Sequence, residues 1–105
     1  MTLAAHPRKR IDIFIEAPLM GRVIEALDQA NVTGYTVLPA LAGRGRRGEW
    51  RRDDAVNIAG QMVCVVCVTR EEKAEAVLAA VQRMLARQIG IVTVSDVNVI
   101  RADHF

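Results

Sequence analysis

The sequence predicts an α+β domain of βαβ–βαβ order, the ferredoxin-like pattern in which two helices pack on one face of a four-stranded antiparallel sheet. Three observations predict it. Strand-period and helix-period segments alternate twice in the same order. The 105 residues suffice for a single two-layer core. The material for that core is aliphatic, with 51% hydrophobic residues but only 4% aromatic. A single domain over residues 1–105 is expected.

Ile11-Asp12-Ile13-Phe14-Ile15-Glu16 alternates cleanly and forms the first strand, after a polar lead-in of His6 to Arg10. Pro18 suits a first helical turn, and Met20, Val23, Ile24, Leu27 and Ala30 recur at helical spacing. Asn31 is the stop signal of this helix, and Thr33-Gly34 turns the chain. Tyr35 to Leu41 is the second strand, where Pro39 lacks a ladder donor and calls for an edge or a bulge. Met62 to Val68 is the third strand. Thr69-Arg70-Glu71-Glu72 reads as a capping box opening the second helix. Ala74, Val77, Leu78, Val81, Met84 and Leu85 mark its apolar stripe, with Arg87 in its last turn and Gly90 closing it. Ile91 to Ile100 is the fourth strand; the odd step from Val94 to Val97 predicts a bulge at Ser95-Asp96.

The third strand, Met62-Val63-Cys64-Val65-Val66-Cys67-Val68, is apolar on both faces, whereas a strand with one face in water alternates. Helices cover one face. Other copies of the chain are expected to cover the second, giving a homo-oligomer whose sheets face one another. Cys64 and Cys67 are three apart on this strand, so they point to opposite faces about 10 Å apart. That excludes a disulfide, no second ligand pair exists for zinc, and the two read as small buried hydrophobes.

Between the second and third strands, Gly43-Arg44-Gly45-Arg46-Arg47-Gly48-Glu49-Trp50-Arg51-Arg52 holds five of the 14 basic residues and one of the 12 acids. This segment carries +4, and the remainder, with nine bases against eleven acids, carries −2. Together with the residues up to Gly60 it makes a patternless stretch of roughly 18 residues, a length usually reserved for function. Glycines let a ligand approach the backbone, and guanidinium forks beside open amides suit phosphate or another planar oxyanion. Gly90 allows a similar approach after the second helix, and Arg101 and His104 add charge from the C-terminal segment.

No apolar run reaches the ~20 residues of a membrane span. The basic residues of the first ten follow a weakly apolar stub, the reverse of a secretory signal, so a cytoplasmic location is expected. Both histidines lie in terminal segments, Ser95 is the only serine, and Asp53-Asp54 is adjacent rather than facing. Nucleophilic and metal-centred catalysis therefore have no constellation, and a non-enzyme is expected. An Arg46 with Asn57 or Asn98, as small acyl-phosphate enzymes use, is a minor alternative. A nucleic-acid-binding module is a second one, since Trp50 among arginines suits a single strand; against it, the basic surplus is confined to one loop.

Lys9-Arg10-Ile11, Thr33-Gly34-Tyr35-Thr36-Val37, Gly43-Arg44-Gly45-Arg46-Arg47 and the Val97-to-Arg101 ending together resemble the PII signalling superfamily. The resemblance covers nearly the whole chain. Gly34-Tyr35-Thr36-Val37, the G-R-G-R-R loop base, Thr69-Arg70-Glu71 and the Asp103-His104-Phe105 end are most similar to the PII-like branch associated with carboxysomes and bicarbonate transporters. The resemblance implies a homotrimer binding adenine nucleotides in inter-subunit clefts, with a long T-loop, here at about 43–60, that signals to a partner protein. Carried over by position, it implies nucleotide contacts from Phe14, Thr36, Gly43, Gly45, Arg46, Arg47, Gly90, Ile91 and, across the interface, Arg101. Bicarbonate would meet Arg44, Arg47 and His104, and Trp50, Arg51 and Arg52 would face the partner.

Departures from the family pattern sharpen this. The second ligand loop is Gln88-Ile89-Gly90-Ile91, without the lysine of ordinary PII proteins, which favours AMP, ADP or a cyclic nucleotide over ATP. Arg47 stands where ordinary PII proteins place the glutamine that serves 2-oxoglutarate, and an arginine there suits a small oxyanion such as bicarbonate instead. No Tyr, Ser or Thr lies between Gly43 and Gly60, so neither uridylylation nor phosphorylation of the loop is expected. No covalent cofactor is implied.

Overall fold

The computed structural model describes residues 4–45, 48–51 and 61–101. The elements run β1 His6–Glu16, α1 Met20–Gln29, β2 Thr36–Pro39, β3 Ala42–Gly45, β4 Gly48–Arg51, β5 Met62–Thr69, α2 Glu71–Leu85 and β6 Gly90–Val99. β2, β5, β1 and β6 form an antiparallel sheet in that order, and β3 and β4 pair separately as a two-stranded ribbon. The predicted architecture is the one observed, with the ribbon as an addition.

Alternation along the central strand β1 separates two layers. Ile11, Ile13 and Ile15 are fully buried beneath the helices, where they meet Val23 and Leu27 of α1, Ala74, Val77 and Val81 of α2, and Val63, Val65 and Cys67 of β5. Each buried Ile, Leu or Val side chain contributes about 1.5–3 kcal/mol, so stripes of the right period suffice to set the fold without aromatics. Cys64 and Cys67 fall on opposite faces of β5, both free thiols and both buried. Burial pushes the Cys67 thiol up to about 11, and it also raises Cys64, aided by the negative charge of Asp12. Both stay protonated and unreactive at neutral pH.

Helix α1 follows a short 3-10 turn, Ala17–Leu19, that holds Pro18. Its exit matches the stop signal read at Asn31. That residue is left-handed at φ 58, Val32 N–H donates to Leu27 C=O at 3.2 Å, and Asn31 N–H donates to Asp28 C=O at 3.0 Å. This is the Schellman arrangement, with asparagine at the position usually given to glycine. Lys73 Nζ of α2 then donates to the Asn31 carbonyl at 2.7 Å, tying the two helices together.

Four local expectations are corrected. β1 starts at His6, not Ile11, because the ten-residue β6 supplies a ladder that reaches it and Lys9 forms an ion pair with Asp96 directly opposite. Pro7 is tolerated there because the β5 side of β1 ends at Lys9, which leaves that edge unpaired. Thr69 is not a cap: it is the last, buried residue of β5, paired with Lys9, and Arg70 in extended conformation is the N-cap, with no side-chain hydrogen bond. α2 ends at Leu85 with Arg83 in its last turn, so Arg87 lies beyond the helix and Gly90 opens β6 instead of closing the helix. Finally, β6 has no bulge. Its register with β1 is unbroken from His6 opposite Val99 to Ile15 opposite Gly90. Val92 and Val94 belong to the helix face, Val97 and Val99 to the other, and the phase change in the sequence reflects two partly apolar faces.

Candidate functional site

The face of the sheet away from the helices carries a row of side chains in register: Leu38 on β2, Cys64 on β5, Phe14 on β1 and Ile91 on β6. Cys64 is covered by its neighbours, but Leu38 remains 49% exposed, Phe14 39% and Ile91 63%. The next row is Thr36, Val66, Asp12 and Thr93. Arg10 Nε donates to Asp12 Oδ1 at 3.0 Å, fixing a charge pair beside the apolar row. An apolar row of this kind, exposed at three of its four positions on an open sheet, is the mark of a surface built for contact.

The strand ends next to this row gather most of the sequence-predicted nucleotide residues. β2 leaves the sheet at Pro39, where Ala40 N–H donates to Met62 C=O at 3.0 Å. β5 returns there, its entry tied by Ala17 N–H to Gln61 C=O at 2.9 Å. Gly90 pairs with Ile15 and Met62 with Glu16 at this same end. The long connection, the Gly90–Ile91 segment, Phe14 and Thr36 therefore share one end of the sheet. Pro39 sits on an edge strand, as its missing donor required.

The connection itself is not the patternless loop expected from its composition. Ala42 pairs with Arg51, Gly43 with Trp50, Arg44 with Glu49 and Gly45 with Gly48. Gly48, at φ +101, takes a conformation that L side chains rarely adopt. The alternation of glycine with charged residues encodes a hairpin, not flexibility. Arg44 forms an ion pair with Glu49 across this ribbon, both side chains mostly exposed. Sequence reasoning missed Glu49; its signal was its place, one step past Gly48 as Arg44 is one step before Gly45. Arg46, Arg47, Arg52, Asp53, Asp54, Asn57, Gly60 and His104 lie outside the described residues, and only the backbone pairing of Trp50 and Arg51 is described.

Two candidates change meaning. Gly90 is exposed, but the side where a side chain would stand is filled: a Cβ there would meet Leu85 Cδ1 at 3.0 Å, the Phe14 carbonyl oxygen at 3.2 Å and Ile15 Cγ2 at 3.3 Å. Its lack of a side chain serves the packing of α2's end onto β1. Arg101 follows β6 at its far end, beyond the Val99–His6 pair. The ten residues of β6 put Val99 about 30 Å from Gly90 along the strand, and Arg101 follows two residues later. One chain cannot bring both to a single nucleotide.

Chemistry of other kinds has little to use. Among the described residues, no group of three or more His, Cys, Asp or Glu side chains is placed to hold a metal ion. No helix there is long and apolar enough to cross a membrane. A separate hollow of about 230 Å³ lies between the far end of the β1–β6 pair and the start of α2, lined by residues including Lys9, Glu71, Asp96 and Asn98. It contains none of the residues predicted to meet nucleotide or bicarbonate, and of the minor acyl-phosphate alternative only Asn98. The Asp96 carboxylate accepting from Lys9 raises that lysine above its ordinary value.

The family model for the nitrogen regulatory protein P-II matches residues 8–104. The chain belongs to the P-II family. Among solved structures, it is similar to CPII, a nitrogen regulatory PII-like protein from Thiomonas intermedia bound to ADP, AMP and bicarbonate. The identity is 26%, the TM-score 0.89, and 99% of this chain and 98% of that one are covered. CPII bound to ADP, AMP and acetate matches at 25% identity and TM-score 0.80, covering 98% of each chain. A PII-like signalling candidate from Thermus thermophilus matches at 28% identity and TM-score 0.81, covering 98% and 99%. No curated protein sequence matches.

Proposed function

We propose that this single-domain P-II protein is a non-enzymatic regulatory sensor: a homotrimer that holds an adenine nucleotide and bicarbonate in clefts between subunits. The observation that carries the reading is the split of the candidate site. Phe14, Thr36, the Gly43–Gly45 stem and Gly90–Ile91 stand at one end of the sheet and Arg101 at the other. Only a neighbouring copy can supply Arg101 to the first group, and the exposed row Leu38, Phe14 and Ile91 offers the surface on which copies meet. The ligands are suggested by CPII, which binds ADP, AMP and bicarbonate. The Gln88-Ile89-Gly90-Ile91 segment offers no cation for a third phosphate, which favours AMP and ADP over ATP.

The ribbon and the residues after it, the T-loop, carry the output. Gly43 to Arg47 form the ligand-binding base, with Arg44, Arg47 and His104 as the bicarbonate contacts. Trp50, Arg51 and Arg52 face a regulated partner, which we take to be a carboxysome component or a bicarbonate transporter. The chain thus reports inorganic carbon or energy status in the cytoplasm. Isothermal titration calorimetry with AMP, ADP and ATP, each with and without bicarbonate, tests the reading. Heat is expected for AMP and ADP, weaker heat for ATP, and tighter nucleotide binding with bicarbonate present. No heat with any adenine nucleotide overturns it.

A further inference from the structure

The Arg44 guanidinium, a candidate anion ligand, is already engaged within its own chain. Arg44 and Glu49 stand directly opposite in the β3–β4 ribbon, and their side chains form an ion pair. Glu49 is the only acid between Gly43 and Arg52. Its carboxylate is a planar, singly charged oxyanion with two acceptor atoms, the same class of group as bicarbonate or acetate. The pairing is held in place by backbone register, with Gly45 opposite Gly48 closing the ribbon, so Glu49 is presented to Arg44 whenever the ribbon is formed. A carboxylate tethered across a ribbon competes with free anions as an intramolecular ligand of high local concentration.

We propose that Glu49 is a built-in competitor for the anion site, and that a planar oxyanion binds Arg44 by displacing it. Glu49 thereby sets the threshold concentration at which bicarbonate registers. The pair is exposed, at 76% and 71%, so the competition is modest, about two- to fivefold in affinity. A competitor of that strength tunes a sensor without silencing it. The proposal rests on the reading that bicarbonate is a ligand of this loop, and the test separates the two.

The ADP-loaded protein is titrated with sodium bicarbonate at fixed pH and ionic strength, as wild type, Glu49→Gln, Arg44→Gln and the double variant. Glu49→Gln is expected to bind bicarbonate about two- to fivefold more tightly, and acetate likewise. In the Arg44→Gln background, removing Glu49 is expected to give no such gain, which distinguishes competition for Arg44 from a general change in loop charge. Binding by Glu49→Gln where wild type is silent also supports the proposal. Unchanged or weaker binding by Glu49→Gln, with wild type binding normally, overturns the proposal and leaves the bicarbonate reading standing. No bicarbonate binding by wild type or Glu49→Gln overturns both, while the ADP titration still reports on the nucleotide site. An equal gain in the Arg44→Gln background overturns the role of Arg44.

Discussion

Two isoleucines on facing strands separate what holds the chain together from what holds copies together. Ile13 of β1 is fully buried on the helix face, whereas Ile91 of β6, opposite Phe14, is 63% exposed on the other face. Ile13→Ala opens a cavity between the sheet and the helices and is expected to cost about 2–5 kcal/mol. In a domain of this size that lowers the Tm by roughly 8 °C or more. Ile91→Ala removes a side chain only about a third buried within its own chain. Against the 1.5–3 kcal/mol of full isoleucine burial, it costs the isolated fold at most roughly 0.5–1 kcal/mol. If copies cover this face, the remaining two thirds is lost from the assembly, roughly 1–2 kcal/mol for each copy. Urea unfolding at two protein concentrations, with light scattering for mass, reads both terms. Ile13→Ala is expected to be destabilised at every concentration. Ile91→Ala is expected to stay within about 1 kcal/mol of wild type when dilute but to show a lower mass or a steeper dependence on concentration. An Ile91→Ala protein as unstable as Ile13→Ala at high dilution refutes the two-face argument, because it means the outer face is packed within the chain.

Further outcomes follow from single positions. Gly90→Ala is expected to lower stability by about 1–3 kcal/mol by crowding Leu85 and the Phe14 carbonyl, seen as a lower urea midpoint, even without nucleotide. Arg46→Ala is expected to weaken ADP binding in calorimetry and Trp50→Ala to leave it nearly intact; equal losses would undo the division between ligand base and partner face. Neither cysteine is expected to react with an alkylating reagent in the native protein at pH 7, measured by mass spectrometry. Cys67 ionises more readily unfolded than folded, its thiol rising from 9.0 to about 11 on burial. Its contribution to stability is therefore complete below pH 9 and is lost as the pH rises from 9 to 11, so the urea midpoint of wild type should fall more across that window than that of Cys67→Ala.

Much of this was legible in the sequence because it rests on period alone. Ile11, Ile13 and Ile15 against Val77 and Val81 state a sheet and a helix that bury each other, and no other packing uses both stripes. The stop at Asn31 and the edge position of Pro39 were legible because each residue type has one strong backbone consequence. What failed depended on a partner strand. The polar residues from His6 to Arg10 become β1 only because β6 reaches them, and Thr69 is a strand residue because Lys9 lies opposite. A bulge at Ser95-Asp96 follows only if apolar residues all face one core, while Val97 and Val99 line the second face. At the candidate site, composition pointed to a loop suited to anions but could not show that Arg44 meets Glu49. That pairing depends on hairpin register, which Gly45 and Gly48 set and which no apolar alternation marks. The packing role of Gly90 was illegible for a related reason, since the side where a Cβ would stand is filled by Leu85 and β1.

The central claim is that the nucleotide is held between two copies of the chain. A crystal structure grown with ADP and bicarbonate tests it most directly. The account predicts a trimer with ADP between subunits, the Gly43–Gly45 stem and Gly90–Ile91 of one chain on one side and Arg101 of the next on the other. A nucleotide held entirely within one chain, or clefts empty at saturating ADP, would contradict it.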